Sequence, residues 1–340
     1  MESGLAMKNL VTDVAGLQVG NAHDAKLASG VTAVLFDSPC IASVAVHGGA
    51  PGVRDTALLE PGMLVERVDA LVLSGGSVYG LDSMGGVLAF LRESGRGFPI
   101  GSIKAPIAPG AVLFDLLNGG DKEFGREPVY WRLGFAAAAA AATDFALGAS
   151  GAGYGATTAN LKGGLGSASA ITSAGFHVGA LVAVNAVGTA TIGDGPHFWA
   201  APHERNREFG GLGWPSVWPP PPHDFSIKSA EPQNTTIAIV ATDAALTKTE
   251  AKRLAIMAHD GMARALRPAH AAMDGDTIFS AATGTASTAP TISDAAEIGM
   301  RAADCLARAI ARAVFEAEAL PFDAALPSWR ERFGFHAKDF

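Results

Sequence analysis

Three features of the sequence predict an α/β sandwich. Short apolar runs rich in β-branched residues end in polar residues or glycine, as buried strands do; they are VTAVLFD (31–37), DALVLSGG (69–76) and TTIAIVATD (235–243). Segments with helical spacing of apolar residues lie between them. The 340 residues are 49% hydrophobic and 17% charged, which is enough apolar content for a large core. No repeat of solenoid length is present, so we expect one domain over residues 1–340.

Two helices are predicted in the first half of the chain. Residues 77–94 place apolar side chains at helical spacing, and Gly95 follows as a C-terminal cap; the inner positions are Leu81, Met84, Val87, Leu88 and Leu91. Residues 128–147, with their alanine run, predict a second helix packed closely enough to favour small side chains. Residues 148–195 combine glycine, Ser/Thr and β-branched residues, which predicts two or three strands with a turn near Gly175.

The last third of the chain follows a proline-rich segment, 209–233, that we expect to form a surface loop. Thr247 and Glu250 form a capping box for a helix that stops before Pro268. Residues 273–284 predict a turn and a strand. A final helix begins near Ser293 and carries arginines on its outer side; its predicted inner residues are Ile298, Cys305, Ile310 and Val314.

Composition excludes several classes of function. The net charge of −8 argues against sequence-independent nucleic-acid binding, because no basic stripe is present. Cys40, at the end of a predicted strand, and Cys305 are too far apart in sequence for a Cys-x-x-Cys site, and we expect both to be core thiols. The first residues lack the apolar segment of a secretory signal, and the alanine run 136–142 is too short to span a bilayer. We therefore expect a soluble, cytoplasmic protein with no membrane partner.

Familiar cofactor and metal motifs are absent or incomplete. GAGYG (151–155) lacks the spacing of a dinucleotide loop, and His197, His203 and Glu204 do not form a convincing zinc cluster. The stretch Asp274-Gly-Asp276-Thr277 differs from a phosphatase motif, and it is either a polar turn or a pair of carboxylates that orients a base. We expect no cofactor and no metal.

The junction Asn234-Thr235 allows two interpretations. Asn-Thr at the start of a strand is common turn chemistry. Alternatively, the chain cuts itself there, and the freed α-amine of Thr235 serves as the base that a threonine hydroxyl needs. An unperturbed α-amine has a pKa of about 7.7–8, so part of it is neutral at pH 7. The sequence around the junction leaves both interpretations open.

Seven segments together resemble the self-processing peptidase family of the L-aminopeptidase/D-amidase-esterase, the β-aminopeptidases and the nylon-oligomer endohydrolase. They occur in family order across most of the chain: TDVAGLQVGNAH (12–23), HGGAPGVRDTALLEPG (47–62), VDALVLSGGSVYGLDSMGGV (68–87), LKGGLGSAS (161–169), VAVNAVG (182–188), NTTIAIVATD (234–243) and RPAHAAMDGDTIFSAATG (267–284). The resemblance favours self-cleavage.

The resemblance implies a four-layer α/β/β/α sandwich similar to N-terminal-nucleophile hydrolases, cut into fragments 1–234 and 235–340 that stay associated. It implies Thr235 as nucleophile, Asn234 as the new C-terminus and Asn185 as a contributor to the oxyanion hole. The remaining implied site residues are an active-site hydroxyl, a lysine near the nucleophile and two acids behind it, namely Tyr79, Lys162, Asp274 and Asp276. A tetramer of cut protomers is also implied.

The resemblance implies hydrolysis of small peptides, amides or esters from the N-terminus, with D- and β-amino acid amides among the candidate substrates. Endohydrolysis of linear 6-aminohexanoate oligomers is an alternative, since the Asp pair also resembles the nylon-oligomer enzyme. Acyl transfer of the ornithine acetyltransferase kind and a non-catalytic scaffold are two others. Leu161 stands where many members have tryptophan, and the loop 209–233 with Trp214 and Trp218 lacks a firm counterpart.

Overall fold

The computed structural model describes residues 7–222, 226–228, 234–323 and 325–334. Five helices are present in these ranges: α1 Ser83–Glu93, α2 Val129–Ala139, α3 Lys248–Ala265, α4 Ile292–Phe315 and α5 Trp329–Phe333. The strands are β1 Leu17–Asp24, β2 Ser29–Val46, β3 Gly52–Arg54, β4 Arg67–Ser74, β5 Phe98–Ile100, β6 Ile103–Ala105, β7 Gly110–Val112, β8 Gly164–Ile171, β9 His177–Asn185, β10 Thr235–Thr242 and β11 Thr277–Ala282. Among the helices in these ranges, none combines the length and the apolar character that a bilayer crossing needs.

Strand β2 belongs to two sheets. Its first part pairs with β1 and β4, its last part pairs with β11, and the register with β4 shifts between Leu35 and Cys40. Such an irregularity bends a strand. The hydrogen-bonded order β3-β7-β4-β2-β11-β10-β9-β8 therefore divides at β2 into a first sheet (β1, β2, β4, β7, β3) and a second sheet (β2, β11, β10, β9, β8).

Three separate apolar clusters show that the two sheets and the helices form four layers. One cluster joins β2 and β4 to α1 and α2, and another joins β8, β9 and β10 to α3 and α4. The third lies between the sheets, where Val34 and Leu71 of the first share it with Ile237 and Ile239 of the second. This confirms the α/β/β/α sandwich. Each sheet is covered by helices on one face and by the other sheet on the other face. The sequences of its strands are therefore continuous apolar runs.

Glycines at the layer boundaries allow backbones to touch. A Cβ on Gly20 of β1 would overlap the carbonyl oxygen of Ala137 in α2, and a Cβ on Gly166 of β8 would overlap that of Ala309 in α4. The alanine-rich composition of both helices follows from this close approach, since larger side chains would hold the helix away from the sheet.

Most of the predicted elements are confirmed, and the start of the first helix is a correction. Residues Ser77–Asp82 form a 3₁₀ helix, and α1 begins only at Ser83. The reason is the turn before it, where Gly76 and Ser77 have positive φ angles of 85° and 51°. The end of α1 is as predicted, with Gly95 just beyond it at a φ of 67°.

Three further expectations were wrong in detail. Helix α2 ends at Ala139 rather than near residue 147, because Ala142 forms a β-bridge with Val19 at the sheet edge. Cys40 lies inside β2 and not at the end of a strand. The arginines of α4 are not all on an outer face, since Arg308 is buried against Glu208 at 2.6 Å. Cys40 and Cys305 are buried free thiols, as expected.

The rest of the C-terminal third agrees with the sequence patterns. The capping box of Thr247 and Glu250 is present, and α4 starts with a second box formed by Thr291 and Asp294. Gly175 forms the predicted turn between β8 and β9. Residues 209–222 form a loop without regular structure in which Trp214 contacts Trp218, while the rest of the predicted loop lies outside the described residues except for 226–228.

The contact between α1 and α2 predicts a difference between two neighbouring glycines. A Cβ on Gly86 would overlap the backbone of Trp131 and Phe135, whereas one on Gly85 would meet only the half-exposed Trp131 ring. We expect Gly86→Ala to lower the free energy of unfolding by about 2 kcal/mol. We expect Gly85→Ala to change it by less than about 1 kcal/mol, because its gain in helix propensity offsets the small adjustment. Urea unfolding of both variants checks this, and equal midpoints would contradict the packing assigned to Gly86.

Candidate active site

Thr235 is the first residue of the central strand β10. That strand pairs with β9 on one side and with β11 on the other, and the register places Thr235 directly opposite Asn185. The preceding residue, Asn234, bridges to Asp274, so the acidic loop before β11 lies on the other side. Thr235 is buried, with 5% of its surface exposed. The strand pairing thus brings together four of the residues predicted from the sequence, namely Thr235, Asn185, Asn234 and Asp274.

The carbonyl group of Asn234 is held by two donors. The Thr235 hydroxyl donates to this oxygen, and the backbone N–H of Gly275 donates to it at 3.1 Å. A Cβ on Gly275 would lie 2.5 Å from the Thr235 hydroxyl oxygen, so only glycine allows this approach. Both side-chain polar atoms of Asn234 are buried without a hydrogen-bond partner among the described residues. The hydroxyl therefore lies against a carbonyl that an N–H already polarises.

A cavity of about 380 Å³ opens beside this pair. Most of its lining residues have apolar side chains, but polar atoms make up about half of its surface; the lining includes Pro51, Val53, Val78, Leu113, Phe114, Met273, Asn234 and Thr235. No acidic or basic side chain of the described residues lines it. Tyr79 is not part of the lining; it is half-exposed, its ring lies edge-on to Phe124 at 5.5 Å, and its predicted role stays a prediction.

Asn185 is fixed at the end of β9 by contacts at both ends of its amide. The side-chain oxygen accepts from the backbone N–H of Thr157 and from the ammonium group of Lys228, each at 3.0 Å. The side-chain nitrogen donates to the carbonyl oxygen of Phe114 at 2.9 Å. The orientation of the amide follows from these partners, since an ammonium group can only donate and a carbonyl can only accept.

Two lysines lie around this asparagine: Lys162 is fully buried and Lys228 is partly buried. Lys162 donates to the carbonyl oxygens of Gly153, Ala156 and Gly163 at 2.9–3.0 Å, and Lys228 donates to that of Thr157. Burial lowers the pKa of each lysine to about 7, although the carboxylate of Asp115 opposes this shift for both. Both line a smaller cavity of about 170 Å³ with Asp115. Near neutral pH these groups exchange protons readily.

Asp274 and Asp276 are buried and differ in charge. Burial, followed by the neighbouring Asp276 carboxylate, raises the pKa of Asp274 above its ordinary value. Burial also acts on Asp276, but the hydrogen bonds and charge of His270 outweigh it, and the pKa of Asp276 is lowered. Asp276 accepts from the backbone N–H of Thr236 at 3.0 Å and from the His270 ring at 2.8 Å. The pair therefore holds one proton and one negative charge beside the first residues of β10.

Sequence reasoning missed several residues of this site. Lys228 lies in the proline-rich segment that was read only as a loop, and Gly275 is the residue between the two acids. Asp115 follows β7, and its carboxylate accepts from Ser29 and from the backbone of Gly76, both at 2.7 Å. In the sequence, Asp115 and Lys228 could have been recognised only as single charged residues that follow apolar ones, in VLFD (112–115) and FSIK (225–228).

The family follows from a comparison with known sequences. The model of peptidase family S58 matches residues 9–325. The chain belongs to peptidase family S58. A Mycobacterium tuberculosis relative named as an uncharacterized aminopeptidase is 40% identical over 352 residues, covering 96% of this chain and 98% of the relative. The 6-aminohexanoate-oligomer endohydrolase of Agromyces sp. is 27% identical over 286 residues, covering 80% of this chain and 74% of that enzyme.

Solved structures show the same fold. A β-aminopeptidase from Burkholderia sp. has a TM-score of 0.70 at 21% identity and covers 96% of this chain and 92% of its own. The L-aminopeptidase D-Ala-esterase/amidase from Ochrobactrum anthropi, described as a variant of the N-terminal-nucleophile hydrolase fold, has a TM-score of 0.68 at 22% identity, covering 95% and 92%. The predicted family and fold class are confirmed. This S58 member is a peptide-bond hydrolase.

The depressed pKa of Lys228 predicts a pH-dependent contribution to stability. Between its folded pKa of about 7 and its ordinary value of 10.5, the unfolded chain binds more protons, so stability rises with pH. We expect Lys228→Met to reduce this rise between pH 7 and 8.5 by about 1 kcal/mol per pH unit. Lys26→Met, at an exposed lysine, serves as control and should leave the slope unchanged.

Both variants are compared by urea unfolding in a Thr235→Val background, so that each sample is one unbroken chain. Ionisation of the cysteines in the unfolded state acts in the opposite direction, but it is common to each variant and its parent and cancels in the comparison. Parallel stability curves for the Lys228→Met variant and its parent would show that Lys228 is not held near neutrality in the fold.

Proposed function

We propose that this S58 peptidase cuts itself between Asn234 and Thr235 and then uses Thr235 as an N-terminal nucleophile. The observation that carries the proposal is the Asn234 carbonyl held between the Thr235 hydroxyl and the Gly275 N–H. A turn residue without a chemical role has no need for this arrangement. Nor would it require a glycine whose missing side chain makes room for the hydroxyl.

The cut proceeds by an N-to-O acyl shift. The Thr235 oxygen attacks the Asn234 carbonyl carbon, the peptide C–N bond breaks, and the hydroxyl proton ends on the liberated amine. Water then hydrolyses the ester, which leaves a carboxylate on Asn234 and restores the hydroxyl. The Gly275 N–H stabilises the negative oxygen that forms during attack, a role worth about 3–4 kcal/mol for such donors in other hydrolases.

Substrate hydrolysis repeats this chemistry with the freed amine as base. The α-amine of Thr235 accepts the hydroxyl proton, an acyl-enzyme forms, and the same amine activates water. Asn185, opposite Thr235, is the candidate oxyanion donor, with Lys228 and the Thr157 N–H orienting its amide. Nearby positive charge on Lys162 and Lys228 keeps the amine neutral, and the Asp274–Asp276 pair accepts hydrogen bonds from it. No step of this scheme uses Tyr79.

The two fragments remain together because the cut lies at the start of β10, a strand that stays paired on both sides within the sheet. All eight residues of β10 pair with β9 of the larger fragment, and β11 pairs with β2. Separation would expose the apolar faces on both sides of the second sheet. Assembly of cut protomers into a tetramer is part of the proposal, as implied by the family resemblance.

The cavity favours small substrates with an apolar acyl group. Most of its lining side chains are apolar and none among the described residues is charged, so a carboxylate or a second ammonium group finds no oppositely charged partner there. Amides and esters of small apolar amino acids, including D- and β-amino acids, fit this description. The uncharged walls also suit the methylene chain of 6-aminohexanoate oligomers, and the named relative at 27% identity makes endohydrolysis of these oligomers the second candidate.

Replacement of one hydroxyl tests the nucleophile. Thr235→Val keeps the side-chain shape but removes the oxygen, so we expect one uncut chain of 340 residues and loss of at least about 1000-fold in activity. Thr236→Val is the matched control: Thr236 is the next residue in the strand, and its buried hydroxyl has no partner in the described parts of the chain. It should yield two fragments and near-normal activity. Intact mass and N-terminal sequencing of the smaller fragment give the readout, and an active, cut Thr235→Val protein would refute the assignment.

The two substrate classes are separated by a direct comparison. We expect β-alanyl and D-alanyl amides to be hydrolysed with a kcat/KM at least tenfold above that for linear 6-aminohexanoate oligomers, because a cavity of about 380 Å³ encloses a small acyl group more fully than a long chain. Product analysis by mass spectrometry checks this. Preferential cleavage inside the oligomers would favour the endohydrolase, while turnover only with an added amine acceptor would favour acyl transfer.

A further inference from the structure

Three histidines from separate segments meet behind Asp276. His47 follows β2, His259 lies within α3, and His270 lies in the loop before β11. One ring nitrogen from each lies within 4.8 Å of the others. The ring centroids of His47 and His259 are 3.7 Å apart, and those of His259 and His270 are 4.8 Å apart. Positions so distant in sequence gave no motif, which is why no metal site was predicted.

Hydrogen bonds at two of these rings fix which nitrogen faces the cluster. His259 donates from Nε2 to the carbonyl oxygen of Ala45 at 3.0 Å, because a carbonyl can only accept. Its Nδ1 therefore carries no proton, and this atom is buried without a partner among the described residues. His270 donates from Nδ1 to the Asp276 carboxylate at 2.8 Å, which makes Nε2 the ring atom that can face an ion. Such outer partners are typical of metal-binding histidines.

Two of the three rings are held toward the uncharged form. Burial, followed by repulsion from His270, lowers the pKa of His47, and burial lowers that of His259 to about 3. Neutral imidazole is the form that ligates metals. A buried neutral nitrogen with no hydrogen-bond partner carries a desolvation cost, which a bound cation would remove.

We propose that His47, His259 and His270 form a binding site for one divalent transition-metal ion of the Zn²⁺ type. Three imidazole ligands with water in a fourth position are a common arrangement for this ion. His259 and His270 are held by their outer partners, whereas His47 is exposed and can turn out of its stacked position to bring its nitrogen closer. The proposal is independent of the cut at Thr235.

An ion at this site is connected to the active site through Asp276. One oxygen of that carboxylate accepts from His270 and the other accepts from the N–H of Thr236, next to the nucleophile. Metal binding at Nε2 makes the opposite N–H of His270 a stronger donor. It therefore favours the ionised form of Asp276.

Titration with Co²⁺ and Zn²⁺ tests the proposal. Tag-free protein is used, both as purified and as the Thr235→Val variant, which has no free Thr235 amine. We expect saturable binding of one ion per chain in both, with the visible absorption of four-coordinate Co²⁺ displaced by Zn²⁺. His47→Ala should weaken binding at least about tenfold. His23→Ala, at another exposed histidine stacked on an aromatic ring (Tyr154, 4.2 Å), should not.

Three outcomes would overturn the proposal. Absence of saturable binding would show that the rings are only packed together. Equal affinity in the His47→Ala variant would place the ion elsewhere. Binding by the purified protein that disappears in the Thr235→Val variant would place the ion at the liberated amine. Because His47 is exposed, its replacement leaves the core intact, and circular dichroism confirms that each variant is folded.

Discussion

The pairing of β10 between β9 and β11 is the constraint on which the site depends. Hydrogen bonds on both sides fix the backbone at Thr235, and the same pairing places Asn185 on one side and the Asp274 loop on the other. A nucleophile on a loop would move relative to the bond it attacks. At the start of a buried central strand, its hydroxyl has almost no freedom, and positioning of this kind supplies much of an enzyme's rate.

The same position explains why so many ionisable groups are buried together. Lys162, Lys228, Asp115, Asp274 and Asp276 all lie around the end of the second sheet, and burial of isolated charges is costly. The fold limits this cost by giving the lysines carbonyl partners and by letting the acids share a proton. The consequence is that the pKa values of Lys162 and Lys228 are lowered to about 7 and that of Asp274 is raised, which brings these three groups into the range where proton transfer near pH 7 is favoured.

Sequence patterns predicted the periodic elements well, because burial on both faces of a strand or on one face of a helix requires apolar residues at regular positions. The predictions failed where a tertiary contact, and not this pattern, determines the local structure. Asp37-Ser38-Pro39 looked like the end of a strand, yet β2 continues through an irregularity to Val46. Ala142 looked helical but pairs with Val19. Thr235, Asn185 and Asp274 were found through the family resemblance, whereas Lys228 and the histidines come together only in three dimensions.

One short segment connects the nucleophile to the histidine cluster. The backbone of residues 47–50 runs against the loop of residues 271–276, with His47 donating to Asp276 at 3.1 Å and Ala50 donating to Asp274 at 2.7 Å. A Cβ on Gly48 or Gly49 would overlap the backbone of that loop, so the two glycines in HGGA are needed for contact. The contact holds Gly275 against Thr235 on one side and brings His47 to His259 and His270 on the other. Movement of this segment would therefore affect both sites at once.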